Sequence, residues 1–255
     1  MAARSLQCGL AAMLWLAMIG SGIAQDEAGQ APARIVSLAP HLTELAFEAG
    51  IGDLLVGVVS WSDYPAEAGE IPRIGDAFRF DLEKILRLEA THALAWDGGT
   101  PPGAIAELEK LGVEVEVVGI RTLKQIALAI ERLGQLGDTP AVAAESAANF
   151  RGRLMRFKRR SDDGQPAVKI FYQVSQKPLF TLGGRHVINE VFGLCGAGNV
   201  FAGLQTEAAS VDLEAVLARD PLAIVIGKKG GKSGDENSGD GQTATKTHWQ
   251  MHPDL

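Results

Sequence analysis

The sequence predicts an α/β protein of two lobes, each built on a mostly parallel sheet, joined by one long connector helix. Three observations carry that expectation. Short apolar runs alternate with stretches of helical periodicity, the rhythm of strand–helix units that bury both faces of a parallel sheet. Residues 139–160, TPAVAAESAANFRGRLMRFKRR, read as a single helix of about 30 Å. Residues 81–96 (DLEKILRLEATHALAW) align without a gap on residues 212–227 (DLEAVLARDPLAIVIG), with four identical positions. A unit repeated on either side of a long helix points to two related lobes. The long helix alone leaves a second reading open, an ordinary surface helix of one domain.

Residues 1–24 hold Arg4, the apolar run Leu10–Ile19 and the small-residue end Gly22-Ile23-Ala24, the pattern of an export signal cleaved after Ala24. The apolar run is short for a membrane span. Removing this segment takes away one base and no acid, so the formal net charge moves from −7 to −8. An acidic chain with no basic patch excludes nucleic acid and anionic membrane surfaces as partners.

The first lobe is expected over residues 25–138. Arg34–Pro40 starts it as a buried strand, and Leu42, Leu45, Ala46 and Ala49 mark a helix stopped by Gly50. Leu55–Ser60 is the next strand, Asp81–Glu89 a helix and His92–Trp96 a strand. Ile105, Leu108 and Leu111 mark a helix closed by Gly112, and Val113–Val118 is a strand. Thr122-Leu-Lys-Gln125 has the form of a capping box, with Leu123, Ile126, Ala127, Ile130 and Leu133 as the buried face. In the connector, 139–160, Thr139 suits an N-cap and Pro140 the first helical position. Ala143, Ala147, Phe150, Leu154 and Phe157 fall on one stripe, and Lys158, Arg159 and Arg160 suit the C-terminal end of the dipole. The second lobe, 161–255, holds a strand at Val168–Val174, helices at Val187–Leu194 and Asp212–Arg219, and a strand at Ala223–Ile226. Residues 227–247 are polar and glycine-rich, and 248–255 close no further element. The expectation is an incomplete second lobe in a protein that continues past Leu255.

No group of residues asks for bond-making chemistry. Gly227 and Gly231 are separated by three residues where a phosphate loop needs four, and no helical pattern follows. His248 and His252 have helical metal spacing but Pro253 adjoins them and no third ligand is near. His41 and His92 flank no nucleophile turn. Cys8 precedes the apolar run, and Cys195 is the one cysteine left after cleavage.

Aromatic residues at strand exits are more informative, because parallel α/β sheets bind ligands beyond the C-terminal ends of their strands. Trp61 follows the Leu55–Ser60 strand, and Trp96 ends its strand beside the flexible Gly98-Gly99. Phe78 and Phe80 lie on the segment entering the Asp81 helix. Either these rings wall a large flat ligand, or each covers the core locally. Glu83 and Glu214 are equivalent in the repeat, each in the first turn of its helix. There a carboxylate is stabilised by the dipole, and one per lobe would also form a two-pronged acidic face for a basic partner.

Several segments together resemble a known family, the periplasmic binding proteins of ABC importers with a single helical connector, which take up cobalamin, haem and ferric siderophores. The carriers are residues 37–44 (SLAPHLTE), 58–65 (VVSWSDYP), Asp81-Leu-Glu83, Ala95-Trp96, 195–199 (CGAGN) and 212–217 (DLEAVL). The cobalamin-binding branch is the most similar, through Ser-Asp-Tyr-Pro after an aromatic and Trp-x-Gly-Gly at Trp96. The resemblance implies a non-enzymatic, monomeric receptor of the periplasm that holds cobalamin as cargo, needs no cofactor or metal, does not insert into the membrane, and delivers to a transmembrane permease. It places Trp61, Phe78, Trp96, Gly98, Gly99 and Phe180 at the ligand and Glu83 and Glu214 on permease arginines. It implies a disulfide partner for Cys195 that the chain lacks. Ala77 and Ala208 stand where the branch has aromatics. A haem receptor would use His41 or Tyr64 as axial ligand, and a siderophore receptor Arg73, Arg79 or Arg185. A secreted metal enzyme would use His41, Asp63 and His92.

Overall fold

The structure is a computed structural model and describes residues 32–76, 78–161 and 167–226. The expected export signal at 1–24, Ala77, the Gly227–Ser233 stretch, His248, His252 and the end of the chain lie outside the described residues.

The first sheet is formed by β1 (Ile35–Ser37), β2 (Leu55–Val58), β3 (His92–Trp96) and β4 (Glu114–Val118). Their order is β2-β1-β3-β4 and every pairing is parallel. Four helices cover it: α1 (Pro40–Glu48), α2 (Leu82–Arg87), α3 (Pro102–Lys110) and α4 (Leu123–Leu136). Successive strand residues feed opposite faces. Ile35 and Leu94 pack with Leu42 of α1 and Ile130 and Leu133 of α4, while Val36 and Ala93 pack with Ile85 of α2 and Leu108 of α3. Burial on both faces is why β1 and β3 read as continuous apolar runs, while the edge strand β4 alternates Val with Glu. The capping box of α4 forms as expected, Thr122 Oγ1 accepting from the Gln125 amide and Gln125 Oε1 from the Thr122 amide.

The connector is α5 (Pro140–Ser161), 22 residues long. Ala143 and Ala147 of its stripe are fully buried, Phe150 is half-buried and Phe157 is exposed, so the stripe leaves the core along the helix. The Thr139 hydroxyl donates to the Ala49 carbonyl at 2.8 Å, with the Gly134 carbonyl at 3.3 Å, which ties the start of the connector to α1 and α4. Gly134 of α4 lies against Ala143, and a Cβ there would overlap the Ala143 methyl. One turn and more along, Arg151 donates to both oxygens of Glu131 at 2.6 and 2.8 Å, and that pairing holds the Glu131 carboxyl below its ordinary range.

The second half repeats the first in its strand order. Here β5 (Val168–Gln173) is followed by the short antiparallel pair β6 (Ser175–Gln176) and β7 (Leu179–Leu182). Helix α6 (Ile188–Leu194), β8 (Ala197–Asn199), β9 (Ala208–Ser210), α7 (Leu213–Leu217) and β10 (Ala223–Ile226) complete it. The parallel sheet runs β10-β5-β8, the counterpart of β3-β1-β2. His92 and Ala223, aligned in the sequence repeat, open the strands that pair with β1 and β5, opposite Ile35 and Ile170. Both repeat helices are capped alike: Asp81 Oδ1 accepts from the Lys84 amide and Asp212 Oδ1 from the Ala215 amide. The core here is smaller, centred on Phe171, Phe201 and Val216. The sequence does not announce the antiparallel sheet β6-β7-β9, because strands of two to four residues leave no periodicity to read. Helix α7 also stops at Leu217, short of the expected Arg219.

Two glycine replacements test how tightly the connector is seated. Alanine gains helix propensity at either position, about 0.5–1 kcal/mol. At Gly152 the new methyl meets only the tip of Arg156, at 3.7 Å, so Gly152→Ala is expected to raise stability by that amount. At Gly134 the overlap with Ala143 forces the helices apart, and Gly134→Ala is expected to lose about 1–3 kcal/mol. Urea denaturation of both variants reads the opposite signs.

Candidate functional site

A cavity of about 500 Å³ is walled by residues from both halves of the chain and floored by the connector. One face of α1 supplies His41, Glu44, Leu45 and Glu48, which recur at helical spacing. This face is held in place by a buried knot of hydroxyls: Thr43 Oγ1 sits 2.9 Å from Ser37 Oγ and 3.1 Å from Ser62 Oγ. The segment 37–44 therefore splits into alternating roles, Ser37 and Thr43 locking the helix to β1 and the Trp61 loop while His41 and Glu44 face the space.

Trp96, at the exit of β3, forms the neighbouring wall. Its amide donates to Thr100 Oγ1 at 2.8 Å, and the Thr100 and Gly99 amides return to its carbonyl, closing a tight turn through Asp97 and Gly98. The indole lies over that turn, and a Cβ at Gly99 would overlap the ring. His41 meets Trp96 edge-on, with centroids 5.4 Å apart and planes at 86°. Ile120, Ile126 and Ile130 continue the apolar wall, and Phe150 and Arg153 of α5 form the floor.

The second half contributes His186, Val187 and Glu207. His186 is set by a network around Asn199, whose amide donates to the Leu182 carbonyl and to Asn189 Oδ1. Asn189 in turn donates to the Gly183 and His186 carbonyls. This gives residues 195–199 a structural role. Cys195 itself is an exposed free thiol.

Two carboxylates reach across from the second half to the first. Glu207 Oε1 lies 3.1 Å from Arg121 Nε, while the same guanidinium holds Asp97 Oδ2 at 2.7 Å. Glu190 Oε2 accepts from the Leu123 amide at 2.7 Å, at the N-terminus of α4, where a carboxylate is favoured. Sequence reading did not find these contacts. The partners Leu123 and Glu190 are 67 residues apart, and no local pattern links them.

Burial sets the protonation of the lining. Desolvation lowers the His41 and His186 imidazoles below their ordinary value, so both are neutral at pH 7, although Glu207 opposes the shift at His186. Desolvation first, then the carboxylates of Asp63 and Glu48, raise Glu44.

Trp96, with Gly98 and Gly99 beneath it, is the expected ligand-site group found at the cavity. Trp61 and Phe78 lie outside the lining, 67% and 68% exposed, and Tyr64 is exposed beside them. Trp61 has a left-handed backbone, φ 70°, a conformation that costs a bulky residue about 1 kcal/mol, and its side chain is exposed. Phe180 is half-buried on β7, paired with Ser175 and Ser210, and is also outside the lining. Of the arginines considered, Arg73 donates to the Ala68 carbonyl, and Arg79 and Arg185 are exposed. His92 opens β3, about 13 Å of strand from Trp96, beside Glu114. It does not meet His41 and Asp63, and among the described residues no three His, Cys, Asp or Glu side chains gather as a metal site. Glu83 is exposed and loosely paired with Arg87 at 3.6 Å, and Glu214 is exposed in the first turn of α7. No helix among the described residues is long and apolar enough to cross a membrane.

Known proteins resemble this chain in sequence and fold. A vitamin B12-binding protein of Vibrio cholerae serotype O1 is 41% identical over 191 residues, 75% of this chain and 69% of that protein. The crystal structure of the periplasmic vitamin B12-binding protein BtuF of Vibrio cholerae superposes with a TM-score of 0.71 at 40% identity, covering 77% of each chain. A periplasmic heme-binding protein from Pseudomonas aeruginosa gives 0.69 at 26% identity, over 77% of this chain and 72% of that one. The periplasmic binding protein family model matches residues 35–244, and the chain belongs to that family.

Proposed function

We propose that this protein captures a corrinoid of the cobalamin type between its two lobes, 25–138 and 161–255, and delivers it to the permease of an ABC importer. The observation that carries the reading is the apolar cavity walled by both halves, with the Trp96 indole laid open on its glycine turn. The 41% identity to a vitamin B12-binding protein supports the choice of ligand. A corrinoid is rigid, flat and edged with amides. Rings and aliphatic side chains cover its faces, neutral imidazoles and loop amides meet its edge, and a rigid guest loses little entropy on binding. The siderophore alternative wants several cleft arginines, and the described lining holds one, Arg153.

In this reading Trp61, Phe78 and Phe180 meet the larger guest once the lobes part, and Trp96 carries its face. The stiff connector limits the movement to modest closure. Residues 1–24 export the chain to the periplasm, where it acts as a monomer without enzymatic chemistry. Glu83 and Glu214, first-turn residues of the two repeat helices, dock on basic pockets of the permease.

Titration of the protein with cyanocobalamin, followed by calorimetry, is expected to give one site of micromolar or tighter affinity. Trp96→Ala is expected to weaken it by about 2–4 kcal/mol through the loss of a buried aromatic face. No heat at micromolar concentration would overturn the corrinoid reading. Reversal of both docking charges, Glu83→Lys with Glu214→Lys, is expected to leave ligand affinity intact. Transport by the reconstituted importer should fall on the order of a hundredfold. Normal transport by this variant would remove the docking role.

A further inference from the structure

The segment that joins β4 to α4 grips the second half of the chain at two points. Arg121 Nε lies 3.1 Å from Glu207 Oε1, and the Leu123 amide donates to Glu190 Oε2 at 2.7 Å. The gripping segment is held rigid by its own capping box. Gln125 Oε1 accepts from the Arg121 and Thr122 amides, and Thr122 Oγ1 accepts from the Gln125 amide. The Leu123 N–H, at the first helical position, has no intrahelical partner, and the Glu190 carboxylate supplies one from the other half.

The two acids belong to one piece. The Gly183 amide donates to the Glu207 carbonyl at 2.9 Å, and Asn189, next to Glu190, donates to the Gly183 carbonyl at 2.7 Å. Glu207 is thereby tied through Gly183 to the start of α6, so the two contacts part together or hold together. Their place decides what they do. Glu207 Oε2 and Trp96 Nε1 both lie 2.8 Å from the point that a Cβ on Gly98 would occupy, so the carboxylate borders the indole on the cavity wall. The cavity that these contacts border measures about 500 Å³. Cavities of about 300–1,000 Å³ enclose drug-sized molecules. A corrinoid with its nucleotide loop has a far larger skeleton, and it enters only if the halves stand further apart than these contacts allow.

We propose that the Glu207–Arg121 pair and the Glu190–Leu123 bond form a latch that opposes capture, so that a corrinoid binds only those molecules whose latch has parted. The proposal rests on the corrinoid reading above and adds a control on its affinity. A receptor competent in a fraction of its molecules shows a dissociation constant raised by the inverse of that fraction. Both acids therefore weaken binding, although Glu190 is outside the cavity lining. The Arg121 and Glu207 side chains are 42% and 29% exposed, open to screening, so added salt favours the parted form.

The test compares the full chain with Glu190→Ala and Glu207→Gln, two positions that are at least partly exposed. Titrated with cyanocobalamin by calorimetry, each variant is expected to bind about 3- to 10-fold tighter than the wild type. Stopped-flow tryptophan fluorescence is expected to place the gain in the association rate, with dissociation unchanged, because the latch is already parted in the complex. Cyanocobalamin carries no net charge, so added salt acts on the latch; it is expected to tighten wild-type binding and to leave the double variant unchanged. Hydrogen exchange at the Leu123 amide reads the latch before any ligand is added. Glu207→Gln retains Glu190, yet is expected to speed that exchange about 3- to 10-fold, since the contacts part together. Weaker or unchanged cyanocobalamin binding by Glu190→Ala overturns the opposition to capture. Unchanged Leu123 exchange in Glu207→Gln overturns the latch itself, and either result leaves the corrinoid reading standing. Failure of all three proteins to bind cyanocobalamin overturns the corrinoid reading and the effect on capture with it, and the exchange rate alone then decides the latch.

Discussion

The close crossing of α4 and the connector is the constraint on which the rest depends. Gly134 lets Ala143 approach until no methyl fits between them, the Thr139 hydroxyl fastens the same end to Ala49, and the Arg151–Glu131 pair fixes the next turns. Contact at backbone distance along two helices leaves little freedom to bend or roll. The connector is thereby a continuation of the first layer of helices. From that fixed base it carries Phe150 and Arg153 to the floor of the cavity and delivers the chain to β5 on the other side.

The two halves then solve one problem twice. In each, the opening strand sits centrally, with the strand entering from the Asp-capped helix on one side and another parallel strand on the other. Parallel strands all end at the same edge, so each sheet brings its loops to one border. Trp96 and the Asp97 turn come from such a border. On the opposite side the antiparallel sheet β6-β7-β9 takes part, because the loops before α6 and β9 bring His186 and Glu207 to the cavity.

How much of this was legible in the sequence depended on the range of the interaction. The strands β1 and β3 were visible because burial on both faces demands unbroken apolar runs, and β10 because its four residues are all apolar although they are only partly buried. Helix α4 was visible because Thr122 and Gln125 write their capping box three residues apart. The repeat was visible because the caps at Asp81 and Asp212 and the strands behind them are local features copied together. Trp96 was legible as a wall of the candidate cavity through its position at a strand exit. Trp61 shares that position but is exposed on a left-handed backbone and outside the lining, and no residue type announces that conformation for a tryptophan. The roles of Arg121, Glu190, His186 and Glu207 were not legible, since each depends on a partner that only the folded chain brings near.

The ionic bridge over the cavity has its own consequence for a guest wider than the empty space. Were the second half to move away, Glu207 would leave Arg121 while the guanidinium kept Asp97 as its partner. The same withdrawal would take Glu190 from the Leu123 amide and uncover a helix N-terminus. Parting these contacts would bare two carboxylates on one lip and the N-terminus of α4 on the other, a polarity that the contacts as they stand neutralise.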